Sequence, residues 1–262
     1  PPTNTIFRNA NIYDGEGNEL NNTDLIIKDG KVVAMGVDLP GSTDLIEVDA
    51  SGKWITPGII DIHSHMGVYP APSVRTSSDG NEATSPVTAE VWAEHSIWVQ
   101  DPQYALALKG GVTTFHVLPG SANLIGGRGV TAKNLQRNTI NSMKFPNAPH
   151  SLKMACGENP KRVYGNRGQM PSTRMGNAAG YRKSWIKAQS YLSKLDEYES
   201  KSEEAKELSY KPTRDLELET LAGVLRNEIL VHNHCYRADE MATMIEILIE
   251  QLRYRSCILL FV

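Results

Sequence analysis

The sequence predicts an α/β protein: a small all-β unit first, then alternating strands and helices that build a parallel sheet. Three observations carry this. Short β-branched runs separated by Asp-Gly turns fill residues 1–57. Further on, a helical segment, a Gly-Gly stop and a β-branched strand follow one another between Asp101 and Leu118, the order that sets parallel strands side by side. Two apolar, strand-like runs end in His-x-His, at His63/His65 and at His232/His234.

In the first unit, Thr5-Ile6-Phe7 leads to Asn11-Ile12-Tyr13, and residues 14–17 turn the chain. Residues 24–28 and 31–36 flank Asp29-Gly30, and strand, Asp-Gly, strand is a strong hairpin signal. Residues 45–49 and 53–55 read as further short strands. These residues fold rather than react.

The second unit opens after Pro57-Gly58 with Ile59-Ile60-Asp61-Ile62-His63-Ser64-His65. Its isoleucines suit a short, fully buried strand. Alternation along a strand puts His63 and His65 on one face, where two neutral imidazoles can grip one cation. Residues 66–100, rich in Pro, Ser, Thr, Asp and Asn, form a long loop leaving that end, and such loops often serve as lids or binding loops. His95 sits in a helical rhythm and is read as structural. Pro102 starts a helix and Gly110-Gly111 stops it. Residues 112–118 are a second strand, with His116 read as core packing. Residues 121–129 read as a Gly-rich turn that lacks the Gly-Lys-Ser/Thr ending of a nucleotide loop; strand three follows near Val130-Thr131-Ala132-Lys133.

Residues 151–156 read as strand four, with Glu158 in the loop just past its end. Residues 181–209 are highly charged, with Trp185, Ala188, Leu192 and Leu195 at helical spacing, and read as a solvated surface helix. Residues 228–234 are strand five, Cys235 is read as a packed thiol, and residues 255–262 offer a sixth strand.

A formal net charge of −3 shows no basic excess and so no nucleic-acid partner. No apolar run approaches the ~20 residues of a membrane span. Three scattered cysteines, Cys156, Cys235 and Cys257, suggest no disulfide framework and fit a reducing compartment such as the cytoplasm. The chain starts at Pro1, so a signal or anchor removed upstream stays open.

Pro57-Gly58 followed by apolar-Asp-x-His-x-His resembles the first barrel strand of the amidohydrolase superfamily, and Gly110-Gly111-Val112-Thr113-Thr114 resembles its second. Gly157-Glu158-Asn159-Pro160 and His234-Cys235-Tyr236-Arg237-Ala238-Asp239 resemble segments near its imidazolonepropionase and dipeptidase branch. The resemblance implies a partial (β/α)8 TIM-type barrel of about five to six strands over residues 58–262. A small N-terminal β-sandwich subdomain over residues 1–57 precedes it.

The resemblance also implies a site. One or two divalent ions, Zn2+ or similar, would be held by His63 and His65 on one side and His234 on the other, with His232 the fallback. Glu158 would bridge as ligand and catalytic carboxylate. Lys133 and Lys153 are its rivals, since some relatives bridge with a carbamylated lysine. The implied reaction is metal-assisted hydrolysis of carbon–nitrogen bonds in a small amide-type substrate, either a non-peptide or cyclic amide or a small dipeptide. The family's sixth-strand histidine and eighth-strand aspartate find no counterpart, and a full barrel takes about 250 residues. The chain is therefore expected to be C-terminally truncated. The alternative reading is an inactive fragment or scaffold, whose uncovered sheet edges leave an oligomer open.

Overall fold

The computed structural model describes residues 3–252 and 259–261. The chain divides into two compact units, Pro1–Ile59 and Ile60–Val262. The first is built on a five-stranded sheet. β1 (Thr5–Tyr13) pairs antiparallel with β2 (Glu19–Lys28), which pairs antiparallel with β3 (Lys31–Gly36). β4 (Ile46–Asp49) and β5 (Trp54–Ile55) run parallel to β1 on its other side. Asp29 (φ 50°) and Gly30 (φ 74°) make the β2–β3 turn in the left-handed conformation that Asp-Gly tolerates. Ala10, Ile12, Leu25 and Ala50 form the core of this unit.

The second unit carries a six-stranded sheet. In chain order the strands are β6 (Ile59–Ser64), β7 (Val112–Val117), β8 (Ile125–Lys133), β9 (His150–Ala155), β10 (Ile229–His234) and β11 (Leu259–Phe261). They lie side by side in that same order, as a curled barrel wall does. Its helices are α1 (Gln103–Lys109), α2 (Glu158–Gly165), α3 (Arg174–Glu199), α4 (Glu203–Glu207), α5 (Leu216–Leu225) and α6 (Ala238–Leu252). The expected sixth strand is present over Leu259–Phe261; the rest of residues 253–262 lies outside the described residues.

The structure corrects five expectations. The sheet is not parallel throughout: β8 runs antiparallel to both β7 and β9, whereas β9, β10 and β11 are mutually parallel. The Gly-rich segment is strand rather than turn from Ile125 onward. At Gly127 (φ 107°) a Cβ would stand 2.4 Å from the Val91 carbonyl oxygen, so only glycine lets the loop 66–100 close onto this strand. That closure is hydrogen-bonded, with Thr88 N donating to Ile125 O (2.9 Å) and Arg128 N to Val91 O (2.8 Å).

The run 59–62 is not buried. Ile59, Ile60 and Ile62 are each more than half exposed, because β6 lies at the edge of the sheet with a neighbour on one side only. α3 is not a solvated helix. It begins at Arg174, seven residues ahead of the expected start at 181, capped by the Thr173 hydroxyl accepting from Gly176 N. Tyr181, Trp185 and Ala188 are fully buried against β9, β10, α5 and α6 in the main core. Its charge sits on the opposite face, and the apolar spacing was the stronger signal. Finally, Cys156 and Cys235 form a disulfide. They lie 79 residues apart in sequence but follow the ends of adjacent strands.

Asp101 does more than open a helix. It is buried, and its carboxylate accepts from Gly67 N (2.9 Å), Ala71 N (3.3 Å) and Gln103 N (3.0 Å), tying the start of the long loop to the start of α1.

Candidate functional site

Side chains at alternate positions of β6 to β10 share the inward face of the curled sheet. His63 and the residue just past the strand, His65, meet edge to face with ring centroids 4.9 Å apart. His65 Nδ1 lies 2.8 Å from the Leu118 carbonyl oxygen at the end of β7. A carbonyl only accepts, so Nδ1 carries the proton and Nε2 keeps its lone pair free. The neighbouring ring of Tyr69 stands 5.7 Å away and donates its hydroxyl to Asn81 Oδ1 (3.0 Å).

Lys153 is the centre of the arrangement. It lies in the middle of β9, wholly buried, opposite His232 in the β9–β10 register. Its Nζ is 3.3 Å from His63 Nε2. Burial pushes its amine down to about 8, because a charge in an apolar strand loses its water. Lys133, the other candidate lysine, sits beyond the Thr131–His116 rung, with its Nζ 5.1 Å from the Phe145 ring.

All the inward histidines are held as neutral imidazoles. Burial, then the nearby Lys153, lowers His63 to about 4, and His232 is lowered to about 4 by the same two causes. His116 falls to about 3 through burial, His232, His63 and Lys153. Burial also lowers His65 and His234. His116 is fastened on both sides, Nδ1 to Thr131 Oγ1 (2.8 Å) and Nε2 to Ser151 Oγ (2.6 Å), and its ring stacks on His232 at 4.7 Å. The reading of His116 as packing holds, with the addition that it supports His232. His232 Nδ1 is buried and has no partner.

His234 is half-buried. Its ring stands edge-on to Tyr236 at 4.4 Å, and Asn159 Nδ2 lies 3.5 Å from its Nε2. Glu158 is exposed and begins α2 rather than lying in a loop. Its field reaches His234, as do those of Lys153, Glu240 and His65. The structure thus gathers His63, His65 and Lys153 in contact, brings His234 within electrostatic reach of them, and leaves Glu158 at the rim. Among the described residues no three of His, Cys, Asp and Glu close into one metal-holding group. The donor chemistry still fits a divalent cation: neutral imidazoles, a free Nε2 on His65 and an orphaned Nδ1 on His232. The sequence underplayed Lys153. The signal was there, a single lysine inside the otherwise apolar Leu152–Cys156 run.

Beside this site the loop 66–100 shapes a cleft of about 730 Å³, lined by Asp79, Asn81, Glu90, Trp92 and His95 among others. His95 stacks on Trp92 (5.8 Å), and the Arg128 guanidinium lies 4.4 Å over the same indole. Asn81 belongs to both places, through its bond to Tyr69.

No protein-family model matches the chain. The crystal structure of an amidohydrolase from Thermotoga maritima MSB8 matches it with a TM-score of 0.86 and 36% identity, over 98% of this chain and 63% of that one. The chain belongs to the amidohydrolase superfamily. The amidohydrolase tasK of Hapsidospora irregularis is 32% identical over 271 residues, 92% of this chain and 28% of tasK. A dihydroorotase of Ligilactobacillus salivarius is 35% identical over 63 residues, 23% of this chain and 14% of that enzyme. The chain therefore spans about 63% of the Thermotoga protein and about 28% of tasK. No helix among its described residues is long and apolar enough to cross a membrane.

Proposed function

We propose that the chain carries the metal-holding wall of a hydrolase that opens carbon–nitrogen bonds in small, non-peptide or cyclic amides. The observation that carries this reading is the contact of buried Lys153 with His63 beside a tautomer-fixed His65. His63 and His65 present neutral nitrogens to a zinc-like ion. Lys153, as its carbamate, would supply the anionic ligand in preference to Glu158, which is exposed at the rim. On β10, His232 offers the orphaned Nδ1 and His234 lies nearer the mouth, so both are assigned to the far side of the site. When bound, such an ion polarises the scissile carbonyl and acidifies water. The protein's own part is to hold neutral imidazoles, keep Lys153 dry and seat the substrate in the adjoining cleft, with Trp92 as an apolar wall. The dihydroorotase and amidohydrolase relatives support the substrate class.

The competing reading, a non-catalytic scaffold, draws on the exposed isoleucines of β6. Calorimetric titration with zinc in bicarbonate buffer separates the two, paired with a panel of cyclic amides. The hydrolase reading expects zinc binding that weakens at least 10–100-fold in the His63→Ala/His65→Ala double variant, and turnover that disappears with it. Zinc binding of equal strength in that variant removes the site as described. Binding without turnover favours the scaffold. His232→Ala and His234→Ala, measured side by side, rank the two β10 histidines.

A further inference from the structure

Helices α3 and α6 border a second cavity, of about 270 Å³, whose wall includes Cys156 but not its disulfide partner Cys235. The rest of the wall mixes apolar side chains, Ala178, Met244 and the exposed Met175 at its edge, with the charged Arg174, Asp239 and Glu240. Asn177 also lines it. This residue is only 4% exposed, its Nδ2 donates to Gly157 O (3.0 Å), and its Oδ1 is buried with no partner.

The two sulfurs of the bridge differ in surroundings. Glu240 Oε2 lies 3.7 Å from Cys156 Sγ, so negative charge on that sulfur is opposed, although Arg174 pairs with the other carboxylate oxygen (2.6 Å). Cys235 Sγ instead receives the Asn233 amide, Nδ2 donating at 3.3 Å. A leaving thiolate is therefore favoured on Cys235 and disfavoured on Cys156.

We propose that this cavity is a modification site for a low-molecular-weight thiol, with Cys156 as the sulfur attacked. The thiolate forms a bond to Cys156 Sγ and the Cys156–Cys235 bond breaks. The electron pair leaves on Cys235 Sγ, where the Asn233 amide meets it, and water supplies the proton. One disulfide is consumed and one is made, so no further oxidant or reductant is required. Cys235 directly follows His234, so the exchange removes the covalent tie beside this histidine, whose carbonyl oxygen still accepts from Cys156 N (2.8 Å). The inference does not rest on the hydrolase reading, and its test uses no activity.

The test takes the full chain with Cys257→Ser, purified without reductant, and exposes it to L-cysteine at mildly alkaline pH. Iodoacetamide then traps free thiols, and peptide mass mapping locates both labels. The expected result is a cysteinyl adduct on Cys156 in about tenfold excess over Cys235, with the alkyl label on Cys235. Met175→Trp, which obstructs the cavity edge from an exposed position, and Ala178→Leu, which fills it, should each slow adduct formation about tenfold with an unchanged circular dichroism spectrum. Adduct divided equally between the two cysteines, adduct mainly on Cys235, a rate untouched in Met175→Trp, or an unreduced protein whose Cys156 and Cys235 are already free thiols would each overturn the proposal.

Discussion

The first and fourth strands of the larger sheet deliver side chains to one place, yet they are built in opposite surroundings. In β9 the residues Ser151, Leu152, Lys153, Met154 and Ala155 are all buried, whereas Ile59, Ile60 and Ile62 of β6 are more than half exposed. Both strands are apolar, and composition alone would call both buried. The difference lies in their neighbours: β9 has a strand on each side and α3 packed over it, and β6 closes the edge. Composition reports that a segment is a strand; its position in the sheet decides what that strand buries. Where the two meet, at Lys153 and His63, the dry strand supplies a buried amine and the edge strand supplies the imidazole beside it.

That contrast can be broken by substitution. Leu152→Ala, in the core beneath the site, should cost roughly 2–5 kcal/mol by urea unfolding. A cost below about 1 kcal/mol would mean that β9 is not the dry strand described. Asp101→Ala asks whether the mouth of β6 is ordered by its loop. It strands the backbone N–H groups of Gly67 and Ala71 and should cost about 2–3 kcal/mol, with new proteolytic cleavage confined to residues 66–100. Lys153→Met should act in the other direction. It removes a buried amine and is expected to raise stability by about 1–2 kcal/mol while zinc binding is lost; a destabilised variant would show that Lys153 serves the fold instead. Ile60→Ala on the exposed edge should change stability by less than about 0.5 kcal/mol.

The sequence revealed most where local chemistry decides structure. Asp29-Gly30 turned where expected, the second strand and the helix before it fell within a few residues of their predicted places, and both His-x-His pairs end strands. What stayed hidden depends on partners far along the chain. Nothing in Gly126-Gly127-Arg128-Gly129 announces that Val91 will lie against Gly127, so the sequence reads as a turn where the chain forms a strand. Charge on one face of α3 concealed Trp185 on the other. Cys156 and Cys235 looked unrelated because only the β9–β10 register brings them together. Lys153 is visible as an oddity in an apolar strand, but the His63 ring it meets lies 90 residues away.

The reversal of β8 has a consequence for chain entropy. Running against both neighbours, it joins β7 and β9 through short links, so partners such as Thr114 and Lys133, or Gly129 and Ser151, are near in sequence. β9 and β10 have no such shortcut, since His150 pairs with Ile229 only after the chain has travelled through four helices. Closing that longer excursion costs roughly 1 kcal/mol more than closing either short one. The Cys156–Cys235 bridge lies across this join, so it fastens the sheet where connectivity helps it least.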